Sequence, residues 1–154
     1  MRRRAPEGRP SASRPVRRHR LRLRIESPDL EAVGQSAARL ERWALRVGLP
    51  DRLRHHLLLV HDELASNVVH HAAGARHLTI AVELDRAVRR LRYRVRDDGP
   101  GFDPLDRPVP RTDLALAARR PGGLGIHLVR ELSDAASWRR RGGENWTTVD
   151  FSLP

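Results

Sequence analysis

Leu21, Leu23 and Ile25 alternate with Arg22, Arg24 and Glu26, the two-residue period of a half-buried strand. The period then lengthens. Leu30, Val33, Ala37, Leu40, Ala44 and Val47 recur at helical spacing, with Ser27-Pro28 reading as N-cap and first helical residue and Gly48 as the stop. A second helix is predicted over about 51–72, opened by Pro50-Asp51 and closed by Gly74. Its stripe is Leu53, Leu57, Val60, Leu64 and Val68. Leu58, Ala65 and Val69 add apolar groups on another face, so this helix reads as buried between layers. Leu78–Leu84 and Leu91–Val95 read as strands joined by an Arg-rich turn. The stretch Asp97–Pro121 is irregular and holds five prolines, and Gly122–Ser133 is a helix led by glycines. Ala136–Arg141 and Thr147–Leu153 form a closing hairpin with Gly142-Gly143 in its turn.

The predicted order is β-α-α-β-β-α-β-β. Strands come in pairs rather than alternating strictly with helices. That argues for a mixed, mainly antiparallel sheet covered by helices on one face, a two-layer α/β sandwich.

Composition narrows the chemistry. The 154 residues include no cysteine, and all 30 basic side chains are arginine. Without Cys there are no disulfides, thiol nucleophiles or cysteine-zinc sites. Without Lys there is no lysine-bearing phosphate loop, no ordinary protein-kinase lysine and no Schiff base. The net charge of +11 is unevenly placed: residues 1–24 carry +9, leaving +2 for the remainder. Residues 1–20, rich in Arg, Pro, Ser and Gly, read as a disordered tail, and residues 21–154 as one domain. A nearly balanced body argues against a specific nucleic-acid binder. No apolar run reaches the ~20 residues of a membrane span, and the N-terminus lacks the apolar core of a secretory signal, so the expected location is cytoplasmic.

Three constellations carry candidate chemistry. On the second helix, Glu63 and Asn67 sit one turn apart within ~40° of each other, followed by His70 and His71. A carboxylate can act as general base, and a carboxamide oxygen is a hard ligand suited to Mg²⁺. Directly after a strand, Asp97-Asp98-Gly99-Pro100-Gly101 sets an acceptor, fit for the amino group of adenine, beside backbone open enough to approach a flat ring. Gly122-Gly123-Leu124-Gly125 then leads a helix whose first N–H groups form an anion site. Each has a plainer reading alone: a polar helix strip, an ordinary turn, a flexible helix entry. The eight histidines also invite a metal site, but the His-Asp ligands a metallohydrolase needs on other helices are not evident, and His61 reads as a partly exposed helix residue.

In this order the three resemble the N, G1 and G2 boxes of the GHKL, or histidine-kinase-like, ATPase superfamily, and among its members the small bacterial anti-sigma-factor serine kinases. The resemblance covers about residues 20–153 and implies a Bergerat-type ATP-binding fold with ATP and Mg²⁺ as cofactors. By matching positions it makes Glu63 the catalytic base and Asn67 the residue that holds Mg²⁺ against the phosphates. Asp97 becomes the adenine-specifying carboxylate, with Gly99 and Gly101 shaping its pocket. Gly123, Leu124 and Gly125 cover the phosphates, His71 matches a frequent family histidine, and Thr147 stands at the far side of the base pocket. Two positions depart from the pattern: Trp146 replaces the glycine before that threonine, and Pro121-Gly122 stand where related kinases often carry an arginine, with Arg119 and Arg120 close enough to substitute. The short lid between Asp103 and Pro121 suits a small serine kinase.

The implied activity is phosphorylation of a serine on an anti-sigma-factor antagonist, together with sequestration of a sigma factor and a possible homodimer. The alternative is a non-catalytic module that binds ATP or a partner alone.

Overall fold

The computed structural model describes residues 18–106 and 124–154. Their elements are β1 (Arg18–Glu26), α1 (Leu30–Arg46), α2 (Asp51–His71), β2 (His77–Asp85), β3 (Arg90–Asp97), α3 (Leu124–Leu132), β4 (Ala135–Arg141) and β5 (Glu144–Ser152). The strands form one sheet in the order β1-β2-β3-β5-β4, and every pairing is antiparallel. The expected two-layer sandwich is present, with no parallel pair among the described strands.

Alternation sets what each face carries. Across the covered face run rows such as Leu21, Val82, Tyr93 and Val149, and Leu23, Ile80 and Val95. These meet the buried stripe of α2 (Leu53, Leu57, Val60, Leu64 and Val68) and Val33, Leu40 and Trp43 of α1. Helix α2 lies between α1 and α3, the middle of the helical layer. The last row at one end of the covered face breaks the apolar rule: Leu78, Asp97, Asn145 and Arg140 stand opposite one another there. The other face alternates out of the core and is rich in arginine.

Several boundaries shift. β1 begins at Arg18, three residues before the alternation marks it, because Arg18, His19 and Arg20 pair with Asp85, Leu84 and Glu83. Residues 1–17 lie outside the described residues. α1 is capped by Asp29, whose side chain accepts from Ala32 N at 2.7 Å, rather than by Ser27. Ser27 instead turns the corner with φ 47°, and its N–H is already given to Arg76 O. Leu30, in the expected stripe, is more than half exposed at the first turn. Gly142 and Gly143 both have positive φ, as a tight two-residue hairpin requires.

His61 is fully buried, not partly exposed. It falls on the α2 stripe between Leu57 and Leu64, where a polar residue survives only if satisfied. Its Nδ1 lies 2.8 Å from the Tyr93 hydroxyl and its Nε2 3.1 Å from Ser36 Oγ. Burial holds its pKa below the ordinary imidazole value. The folded protein therefore keeps His61 neutral while the unfolded chain takes up a proton below about pH 6.5. Stability from this group is complete above that pH and is lost as pH falls toward the folded pKa. Urea unfolding at pH 7.5 and 5.5 is expected to show the loss, and His61→Gln to flatten the dependence.

Candidate functional site

The polar row at the sheet's end defines the site. Asp97 closes β3, is 4% exposed, and lies opposite Asn145 on β5. Its Oδ1 accepts from Gly99 N at 3.0 Å and from Asn145 Nδ2 at 2.9 Å. One carboxylate oxygen is thus held by two donors, and Oδ2 remains as an acceptor. Burial raises the Asp97 pKa, with the hydrogen bonds from Asn145 and Gly99 partly opposing it.

Asn145 was not picked out by motif, yet it organises this end of the sheet. Its Nδ2 also donates to Pro100 O at 2.8 Å, and its Oδ1 accepts from Phe102 N at 3.3 Å and Arg140 Nη1 at 3.0 Å. Two acceptors on one side and two donors on the other leave only one orientation of the amide. Arg140 Nη1 reaches on to Gly99 O. One buried amide therefore joins the Asp97 carboxylate, the following loop and β4. The signal was available: β5 alternation puts Asn145 on the same face as Thr147, Val149 and Phe151, where a polar residue is costly.

The neighbouring Asp98 anchors the loop from the other side. It accepts from Arg76 N, His77 N and Arg76 Nε at 2.8–3.0 Å. Burial alone raises its pKa, but the hydrogen bonds from His77 and Arg76 outweigh this and bring it to about 2.

Glu63 and Asn67 sit one turn apart on α2, beside this row. Asn67 Nδ2 donates to Glu63 Oε1 at 3.0 Å. The amide oxygen is thereby left as an acceptor, and Asn67, 8% exposed, lines the small cavity in front of Asp97. A free carboxamide oxygen beside a carboxylate is a donor set that fits Mg²⁺. That cavity, 10 Å³, is also lined by Val68, Phe102, Pro104 and Thr147. Thr147 is 5% exposed and reaches it from β5, whereas Trp146 points to the opposite face, against Arg96 and Arg139. The departure from the family pattern at Trp146 is therefore away from the cavity.

Two glycines allow close approach. A Cβ on Gly125 would stand 1.8 Å from Glu63 Oε2, so the first turn of α3 rests on that carboxylate. A Cβ on Gly99 would meet the Ala72 Cβ at 2.6 Å, so the loop after Asp97 sits on the end of α2. Gly101 is exposed beside the Arg140 side chain and does not line the cavity. His71 is exposed, with its ring 5.0 Å from that of Phe102, outside the cavity. α3 begins at Leu124, and Arg130 Nη2 donates to Leu105 O, tying that helix to the loop. Gly123, Arg119 and Arg120 lie outside the described residues, as does most of the predicted lid. The structure thus brings together Glu63, Asn67, Gly125, Asp97, Gly99 and Thr147, and sets Gly101 and His71 at the rim.

Known proteins share this fold. The model of the histidine kinase-like ATPase domain matches residues 27–151. The chain is 35% identical over 111 residues to the serine/threonine-protein kinase BtrW of Bordetella bronchiseptica, covering 71% of this chain and 78% of that one. The fold is similar to the structure of the RsbU and RsbW domains of Rv1364c from Mycobacterium tuberculosis, with TM-score 0.63 and 16% identity, over 88% of this chain. This chain spans only 32% of that one. It is also similar to a chain in the SiaB–SiaC complex of Pseudomonas aeruginosa, with TM-score 0.56 and 15% identity, covering 86% and 89% of the two chains. A family match over most of the length and a relative at this identity place the chain: it belongs to the histidine kinase-like ATPase family.

Proposed function

We propose that this chain is an ATP-dependent serine/threonine kinase of the anti-sigma-factor type, which phosphorylates a serine of an anti-sigma-factor antagonist and sequesters a sigma factor. The observation that carries the reading is the Asn67–Glu63 hydrogen bond. It links the cavity in front of Asp97 to a carboxylate lying under the start of α3. A base-binding end and a proton acceptor are thereby joined through one amide. The resemblance to BtrW supports the kinase assignment over a binding module.

In this reading Asp97 Oδ2 accepts the adenine amino group while Oδ1 stays with Gly99 and Asn145. The N–H groups at the start of α3, with Gly123, Leu124 and Gly125, face the phosphates. Mg²⁺, when bound, neutralises charge on the triphosphate, and Asn67 Oδ1 is the oxygen that would hold it. Glu63 takes the serine proton as the serine oxygen bonds to the γ-phosphorus and the bond to the ADP oxygen breaks. Asn67 Nδ2 keeps Glu63 Oε1 in place, so Oε2 is the oxygen that receives the proton. The 10 Å³ cavity admits about one water, whereas ligand pockets commonly reach ~300–1,000 Å³. Nucleotide entry therefore requires the residues that line it to move apart.

Gly125→Ala tests the contact between α3 and Glu63. The clash falls on the end of a flexible side chain, so the fold can yield by displacing the carboxylate. Thermal unfolding is expected to shift by only a few degrees, while phosphotransfer falls by roughly tenfold or more. Unchanged transfer would show that Glu63 has no fixed position in the reaction.

The activity itself is tested by incubating the chain with γ-labelled ATP, Mg²⁺ and candidate antagonists encoded near it. Label on an antagonist serine is the expected result. ATP binding with no transfer to any candidate would favour the non-catalytic module.

A further inference from the structure

The sheet face turned away from the helices has no counterpart in this reading. Its residues line up across the strands by register. The middle row is Arg22, Ala81, Arg94, Thr148 and Ser137. Three of these five are small, so the row forms a trough running across all five strands. Two hollows, of 190 and 210 Å³, open on it on either side of Arg94.

The walls of the trough are taller and internally matched. On one side Arg20 pairs with Glu83, and Arg92 holds Asp150 through two bonds of 2.6 Å. On the other side Arg96 and Arg139 lie over the Trp146 ring at 5.0 and 5.6 Å. The middle row contains two guanidinium groups and no acid, and the acids that reach the hollows, Glu83 and Asp150, are already paired with Arg20 and Arg92. Among the described residues neither Arg22 nor Arg94 has a hydrogen-bonded or ion-paired partner, although Arg94 is only half exposed. Burial, and then the like charge of Arg92, lowers the Arg94 pKa, although Glu83 and Asp150 pull the other way.

We infer that this trough is a docking surface for an acidic, extended segment of a partner protein, with carboxylates entering the hollows beside Arg94. Five strands at ~4.8 Å spacing give a trough about 19 Å long, which about six extended residues would cross. Alternate side chains of such a segment lie ~7 Å apart on one face, spaced to place carboxylates on both sides of one arginine. Other occupants fit less well. A single-stranded nucleic acid needs free aromatic faces on which to stack, and the Trp146 ring is already taken by two guanidinium groups. A second copy would oppose its arginines to these. Residues 1–17 of the chain carry one acid, Glu7, against six arginines, the wrong charge to complement the trough.

The test uses the full chain and a fluorescein-labelled eight-residue peptide alternating Glu and Ser, titrated in 50 mM and 200 mM salt. Binding that weakens about tenfold at the higher salt is expected. R22E/R94E should lose about tenfold or more in affinity. R94Q should lose severalfold and serves if the double variant does not fold, as judged by circular dichroism. R52E, on the exposed side of α2, changes the charge without touching the trough and should stay within about twofold of the parent. The inference is overturned by absence of binding, or by R52E matching R22E/R94E. It is equally overturned if an eight-nucleotide oligothymidine binds more tightly than the peptide and is lost in the same variants, or if sedimentation shows a dimer that R94Q dissociates.

Discussion

Glu63→Ala is expected to bind ATP as the parent chain does and to transfer phosphate ~10²–10⁴-fold more slowly, the usual worth of a positioned general base. The separation follows from geometry. Glu63 does not line the cavity before Asp97, so its removal leaves the base-binding end intact. It does hold Asn67 Nδ2 and lies against Gly125, the position from which a serine on a docked partner could be deprotonated. Glu63→Gln sharpens the result. Its amide oxygen can keep the bond to Asn67, yet it cannot take a proton, so transfer should be lost to a similar extent. Calorimetry for ATP and single-turnover transfer of labelled phosphate measure the two quantities. A variant that transfers at the parental rate would remove Glu63 from the chemistry.

Asp97→Asn is expected to weaken ATP binding by roughly 30–1,000-fold, or about 2–4 kcal/mol. The variant can keep an oxygen toward Gly99 N and Asn145 Nδ2, because those donors leave no choice. Its amide nitrogen then replaces Oδ2, and two donors face each other where the adenine amino group should be accepted. Folding stability should change little, since the buried charge is removed while its hydrogen bonds remain. A pH series adds an independent check. Burial raises the Asp97 pKa, so ATP affinity in the parent chain should decline as pH falls toward that raised value. Asp97→Asn should show no such decline, and a parallel fall in both proteins would assign the pH effect to another group.

Much of the fold is legible in the residue pattern because the sheet has one wet face and one dry one. Arg22, Arg24, Arg92 and Arg94 alternate with Leu23, Leu91, Tyr93 and Val95, and that contrast marks strands and registers alike. The turns declare themselves through Gly48, Gly74, Gly142 and Gly143, all at positive φ. The pattern misleads where a polar residue is satisfied inside. His61 falls on the apolar stripe but reads as surface by its chemistry, and only the pairing with Tyr93 and Ser36, distant in the chain, makes its burial tolerable. Helix starts are ambiguous for a similar reason. Ser27 and Asp29 are both good caps, and the choice is made by a backbone bond from Ser27 to Arg76, outside any local window. In the site, the motif residues Glu63, Asn67 and Asp97 stand out by chemistry. Asn145 and Arg140 do not, because their part is to hold the loop after Asp97 and depends on strand pairing across the end of the sheet.

In the proposed function the cleft between α2 and the end of β3 takes an adenine nucleotide read by Asp97. Calorimetric titration of the full chain with ATP and with GTP, each in excess Mg²⁺, tests it most directly. Adenine offers a donor where guanine offers a carbonyl acceptor, and Asp97 Oδ2 can only accept while ionised. Saturable ATP binding is expected, with GTP at least about tenfold weaker and that preference lost in Asp97→Asn. Equal affinity for the two nucleotides, or no binding of either, would contradict it.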